Sequence, residues 1–148
     1  ISLWDSAIAA LVNQAHNALA SGKDPQRMGS AHPNLVPYRA FQASDGWFVI
    51  GVGSDNQWAH LCEHLELENQ ENWHTNAGRI ADRDNIESIV GEIVGKYDRQ
   101  TLERLLEGVP CAPVNTITEA LNDQQSVARG VVTDYNGVQV LASPLRFY

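Results

Sequence analysis

"YRAFQASDGWFVIGVG", residues 38–53, is the stretch on which the fold turns. Tyr38 to Gln42 and Trp47 to Val52 are strand-like runs, and Ser44-Asp45-Gly46 between them is a turn signal whose glycine can take a positive φ. The stretch predicts a β-hairpin. Upstream, "GKDPQRMGSAHPNLVP" over residues 22–37 carries Pro25, Pro33 and Pro37, each of which pushes the residue before it away from helix. A long irregular loop is expected there. Its low charge and its Met28, Leu35 and Val36 favour order over disorder.

Downstream of the hairpin, Ser54 or Asp55 caps a helix over residues 56–65, with Trp58, Leu61, Cys62 and Leu65 on one face. "ELENQENWHTNAGRIA", residues 66–81, reads as a polar connection. Asp82 or Asp84 then opens the clearest helix of the chain, where Ile86, Ile89, Val90, Ile93, Val94 and Tyr97 form an unbroken apolar stripe. Asp98 starts a short helix with Leu102, Leu105 and Leu106 inward, ended by Gly108. Pro110 and Pro113 make "VPCAPV" an extended edge segment, because proline donates nothing to a ladder. Thr118 is the expected cap of a helix through Leu121, Ser126 opens a further turn, and Asn136-Gly137 is the tip of a last hairpin. At the other end, one helix is expected from Ser2 to Ala20, stopped by Gly22. The order of elements is α+β, short antiparallel hairpins packed by helices, rather than a regular βαβ alternation.

That first helix is apolar over too wide an arc. Leu3, Ala7, Ala10 and Leu11 face one way while Trp4, Ile8, Val12 and Ala15 widen the stripe. Such a helix needs burial on more than one side. With Ile1 as the first residue, the expectation is a fragment whose partner domain lies outside these 148 residues.

A net charge of -8, from 10 basic and 18 acidic residues, repels phosphate backbones and anionic lipid, so nucleic acid and membrane surfaces are not expected partners. No apolar run approaches the roughly 20 residues of a membrane span. Cys62 and Cys111 sit in unrelated contexts and make no disulfide framework, so a reducing, cytoplasmic setting is expected.

The candidate chemistry is sparse. His60 and His64 bracket Cys62 on a helix, but the cysteine points to the core and the histidines to solvent; with no third ligand evident, no metal site is expected. Cys111, among Val109, Ala112 and Val114, lacks the nearby positive charge of a reactive thiolate and reads as structural. Gly51-Val52-Gly53 lacks the third glycine of a phosphate-binding fingerprint, since position 56 is Asn. Asp45 and Asp55 read as turn and cap carboxylates with no acid–base partner. There remains the loop Gly29-Ser30-Ala31-His32-Pro33: small residues that let backbone approach a ligand, a histidine before a proline, and Lys23, Arg27 and Arg39 as the local basic residues. It reads equally as a ligand-contacting loop or a plain connector.

Taken in order, these segments resemble the C-terminal part of a family III coenzyme A transferase, the group of formyl-CoA, carnitine and succinyl-CoA:glutarate transferases and α-methylacyl-CoA racemase. The resemblance runs through "SLWDSAIAAL", "MGSAHPNLVPYRAFQASDGWFVIGVGSDNQWAHLC", "HTNAGRIADRDNI", "GVPCAPVNTITEAL", "QQSVARGVV", the Asn136-Gly137 hairpin and "SPLRF". It implies three parts: a linker helix over 1–22 that packs on a missing N-terminal large domain, a small α+β domain over 23–116, and a returning connection over 117–148. It implies acyl-CoA and carboxylic acid substrates, with coenzyme A thioester as substrate rather than tightly bound cofactor, and an interlocked homodimer. The family's attacking aspartate precedes the "SLWDSA" helix; none of Asp5, Asp24, Asp45 or Asp55 matches its motif, so no catalytic residue is expected in this chain. Residues 29–33 fall where the family has a loop that closes over the acyl end of the substrate. An acyl-CoA racemase of the same superfamily and a non-catalytic binding module are the alternatives.

Overall fold

The computed structural model describes residues 1–145. At its centre β1 (Tyr38–Ala43) and β2 (Gly46–Gly51) form the expected antiparallel hairpin, with Phe41 opposite Phe48. A third strand, β3 (Cys111–Pro113), pairs antiparallel with the other side of β2, placing Ile50 opposite Cys111. The sheet order is therefore β1-β2-β3, and the proline-bearing strand lies at an edge, where a missing N–H breaks no ladder.

Helices close this sheet. We number them α1 (Leu3–Ala9), α2 (Asn13–Ser21), α3 (Asp55–His64), α4 (Asn76–Ala81), α5 (Arg83–Val94), α6 (Arg99–Leu105), α7 (Ile117–Asn122) and α8 (Gln124–Ala128). A second two-stranded sheet, β4 (Val132–Tyr135) and β5 (Val138–Leu141), turns at Asn136 and Gly137, both with positive φ. The fold is α+β. Its core is one cluster: Val36, Phe41, Phe48 and Ile50 from the sheet side, Trp58 and Leu61 from α3, Ile86, Val90 and Val94 from α5, and Leu102 with Leu106 from the α6 region. Ser54 and Asp98 cap α3 and α6 by accepting the N–H groups of Gln57 and Thr101.

Six expectations need correction. The first helix is two helices, parted at residues 10–12, where Val12 has φ 46. Neither glycine nor proline marks that break. The polar connection contains a 3-10 turn, Glu71–Trp73, and α4, capped by Thr75. Its polar composition hid two anchors, since Trp73 and Arg79 are both buried. Asp82 makes no side-chain cap for α5 because its carboxylate accepts the Trp73 indole N–H at 2.8 Å. The cap of α7 is Thr116 rather than Thr118, in a reciprocal box with Glu119, and Asp123 rather than Ser126 caps α8. Finally, the α5 stripe stops at Val94, and Tyr97 lies beyond the helix, exposed.

Gly78 in α4 is there for clearance. A Cβ at this position would collide with the Asn72 carbonyl of the preceding turn. That close approach lets α4 press Arg79 inward. The expected terminal similarity at Arg146 and Phe147 lies outside the described residues.

Candidate functional site

The loop of residues 29–33 folds back along the free edge of β1. Strand β1 pairs with β2 on one side only, so its outward backbone groups need other partners. The loop supplies them. Ser30 Oγ accepts the Ala40 N–H at 3.1 Å, and the His32 N–H donates to the Tyr38 carbonyl at 2.8 Å. Gly29, at φ 60, takes the left-handed conformation that lets the chain turn there. Behind the loop, the Arg83 guanidinium donates to the Pro33 carbonyl at 3.0 Å.

His32 is fully engaged. Its ring stacks on Tyr38 with centroids 5.1 Å apart. Nδ1 accepts the Asn34 N–H at 3.1 Å, and Nε2 lies 3.1 Å from the side-chain amide of Asn13 on α2. One turn further along α2, Asn17 and Asn34 exchange a reciprocal pair of amide hydrogen bonds at 2.8 and 3.0 Å. From α4, Asn76 donates to the Asn34 carbonyl at 2.9 Å and accepts the Val36 N–H at 3.3 Å. The exit of the loop is thus clasped between α2 and α4.

Charge around it is organised by Glu87, which is nearly buried on α5. It binds Arg39 at 2.7 Å and Arg83 at 3.1 Å. Two guanidinium groups thus share one carboxylate beside the loop, and Asp84 lines the neighbouring cleft. Of the three basic residues expected here, Arg39 is committed to this pair, while Lys23 and Arg27 are exposed. An open cleft of about 300 Å³ borders β1 and α5, lined in part by Arg39, Gln42, Trp47 and Ser88.

The other sequence candidates lie apart from the loop. Burial pushes the Cys62 thiol up to about 11 against the pull of Arg79, and burial also raises Cys111, so both thiols favour the neutral form. His60 is exposed and His64 half-buried. Asp45 accepts the Arg99 N–H and guanidinium at 2.9 and 3.3 Å, and Asp55 binds Arg79 at 2.8 Å.

Sequence reasoning missed the residues that hold the architecture together. Arg79, 1% exposed, donates to the carbonyls of Val36 and Trp73, each at 2.8 Å, and lies over the Trp58 ring. It ties the start of the hairpin to α3 and α4. Arg99 joins the hairpin turn to β3 and α7 through Asp45, the Val114 carbonyl and Glu119. The available signal was an arginine directly before Ile80, in a segment otherwise free of basic side chains except His74.

Comparison with known proteins places this arrangement. The sequence profile described as CoA-transferase family III matches residues 1–147. A succinate–glutarate CoA-transferase of Agrobacterium fabrum is 35% identical over 90% of this chain and 35% of its own length. A succinyl-CoA:mesaconate CoA-transferase of Haloarcula hispanica is 33% identical over 90% of this chain and 34% of its own. The chain spans about a third of the length of these curated relatives. A crystal structure of a CAIB/BAIF family protein from Brucella suis superposes with a TM-score of 0.80 at 40% identity, over 94% of this chain and 38% of that one. Rv3272 from Mycobacterium tuberculosis shares the fold at 15% identity, with a TM-score of 0.79 over 100% of this chain and 39% of its own. With matched residues running from 1 to 147, the chain belongs to CoA-transferase family III.

Proposed function

We propose that this chain is the small-domain portion of an acyl-CoA:carboxylate CoA-transferase. The observation that carries the reading is the family match over residues 1–147, joined to relatives named for exchange among succinyl, glutarate and mesaconate groups. Those names favour transfer over racemisation. The nucleophile is an aspartate on the part of the relatives that this chain does not span. Its carboxylate attacks the thioester carbonyl, the C–S bond breaks, and coenzyme A leaves as the thiolate. The thiolate re-attacks the mixed anhydride at the aspartyl carbonyl, releasing the first acid and leaving an aspartyl-CoA thioester. The acceptor carboxylate then repeats the sequence in reverse.

In this reading residues 1–22 pack on the large domain, 23–116 form the small domain, and 117–148 return to the large one. The exposure of Leu3, Trp4 and Leu19, at 86, 75 and 83%, supports a covered linker. The full-length protein is a cytoplasmic homodimer that holds no cofactor tightly. Gly29, Ser30, Ala31, His32 and Pro33 line the acyl side of the site, where small side chains bring backbone close to the thioester.

The test is CoA exchange between succinyl-CoA and glutarate by the full-length protein, with the 148-residue chain alone inactive. His32→Ala and Gly29→Val should each lower turnover about tenfold, near 1.4 kcal/mol of transition-state stabilisation, with the fold persisting, although a β-branched side chain at the φ 60 of Gly29 lowers the melting temperature of the second. Unchanged kinetics in both variants reduces the loop to a connector. Exchange by the isolated chain overturns the placement of the nucleophile.

A further inference from the structure

We infer that Asn13 and Asn17 of α2 are positioning residues for the loop of residues 29–33, and that they hold His32 in a single tautomer, protonated at Nε2. The inference rests on the reading that this loop meets the substrate.

The tautomer follows from donor arithmetic. Asn34 gives its backbone N–H to His32 Nδ1, so Nδ1 carries a lone pair. The proton of the neutral ring is then on Nε2, and the atom 3.1 Å away is Nδ2 of the Asn13 amide, itself a donor. A donor cannot face a donor, so the Asn13 amide must be turned end for end, with Oδ1 in the place of Nδ2 accepting Nε2–H. Protonating Nδ1 would expel the Asn34 N–H and open the tight turn after His32. The ring is further held flat against Tyr38, whose carbonyl takes the His32 N–H.

The second link, Asn17 with Asn34, has the same helix as its source and the same loop exit as its target. No residue of α2 is fully buried. Its grip on the loop is therefore directional, made by side-chain amides rather than by area buried. Val12, immediately before Asn13, sits at φ 46 and ψ -121, a conformation costly for a β-branched residue. That sharp turn aims Asn13 and Asn17, one helical turn apart, at the loop. Where α2 is set, the loop is set with it.

The experiment uses the full-length protein. Asn13→Leu combined with Asn17→Leu should lower kcat for succinyl-CoA and glutarate about tenfold or more, since misplacing a reacting group by an ångström costs on that scale. KM should stay within about twofold of wild type, as expected when only transition-state contacts are lost. Asn13→Asp keeps the acceptor for Nε2–H and should recover most of the loss from Asn13→Leu. Selective nitrogen-15 labelling of histidine should report His32 protonated at Nε2 and bare at Nδ1, a signature that Asn13→Leu blurs into a mixture of tautomers. Wild-type kcat in the double variant, or a proton on Nδ1 in the unmodified protein, overturns the inference. If the unmodified protein exchanges no CoA, the transferase reading falls instead, and the tautomer measurement alone decides the clasp.

Discussion

The stretch from Val36 to Val109 and the two segments that flank it are built from similar amino acids and behave oppositely. Every buried apolar side chain among the described residues lies between Val36 and Val109. The flanking α1, α2, α7 and α8 bury no residue fully, although they carry Leu3, Trp4, Ile8, Leu19, Ile117 and Val127. Apolar composition alone does not make a core. The central stretch closes on itself because a three-stranded sheet, α3, α5 and α6 present their apolar faces to one volume. The flanks are attached instead by polar devices: the asparagine clasp on one side and the Arg99–Glu119 pair on the other.

The contrast can be broken from the inside first. Val90 is wholly buried in the middle of α5. Val90→Asp places an unpaired carboxylate there and should cost about 4 kcal/mol or more, read by chemical denaturation. A midpoint near wild type would mean that α5 does not face the core. Next is Arg79→Ala, which leaves the buried Val36 and Trp73 carbonyls without donors, a loss of about 3 kcal/mol. The same measurement checks it, and a loss under about 1 kcal/mol would show that the arginine is replaceable by packing.

The flanks should answer to pH before they answer to mutation. Glu119 is held down to about 2, first by the Arg99 guanidinium and then by the Thr116 N–H. A carboxyl depressed in the folded state contributes its stabilisation fully above its ordinary value of 4.5 and loses it as pH falls toward about 2. Hydrogen-exchange protection factors along α7, taken against the intrinsic exchange rate at each pH, should therefore fall on acidification through that window while those of α5 hold. Equal loss of protection in both helices would erase the distinction between core and flank. The smallest effect is expected from Trp4→Ser in this chain, within about 0.5 kcal/mol, because the ring is 75% exposed. A loss above about 1 kcal/mol would place Trp4 in a contact that its exposure does not show.

Much of the fold was legible in the residues. Asp45-Gly46 announced the central hairpin, Asn136-Gly137 the peripheral one, and the spacing of Ile86, Val90 and Val94 gave α5 its buried face. Asp98 was readable as a cap, and Ser54 as one of two candidates with Asp55, because a cap bonds the N–H only three residues away. The candidate loop was legible as a place, through its prolines and small residues, but not as a network. Asn13 and His32 are 19 residues apart, and nothing in either neighbourhood names the other.

What the sequence by itself determined was what short-range physics decides: turns, caps, helical periodicity, and the apolar excess of the first segment. Only the tertiary structure decided where that first segment breaks, that Arg79 is the buried anchor rather than a surface charge, and that Asn13 and Asn17 clasp the loop. The reason is reach. A turn or a cap is settled by atoms a few residues apart, whereas Arg79 finds Asp55 and Val36 across 24 and 43 residues, and Arg99 finds Asp45 across 54. For such side chains the same composition permits solvent or burial, and the choice is made by which backbone carbonyls the packed sheet and helices leave without a donor.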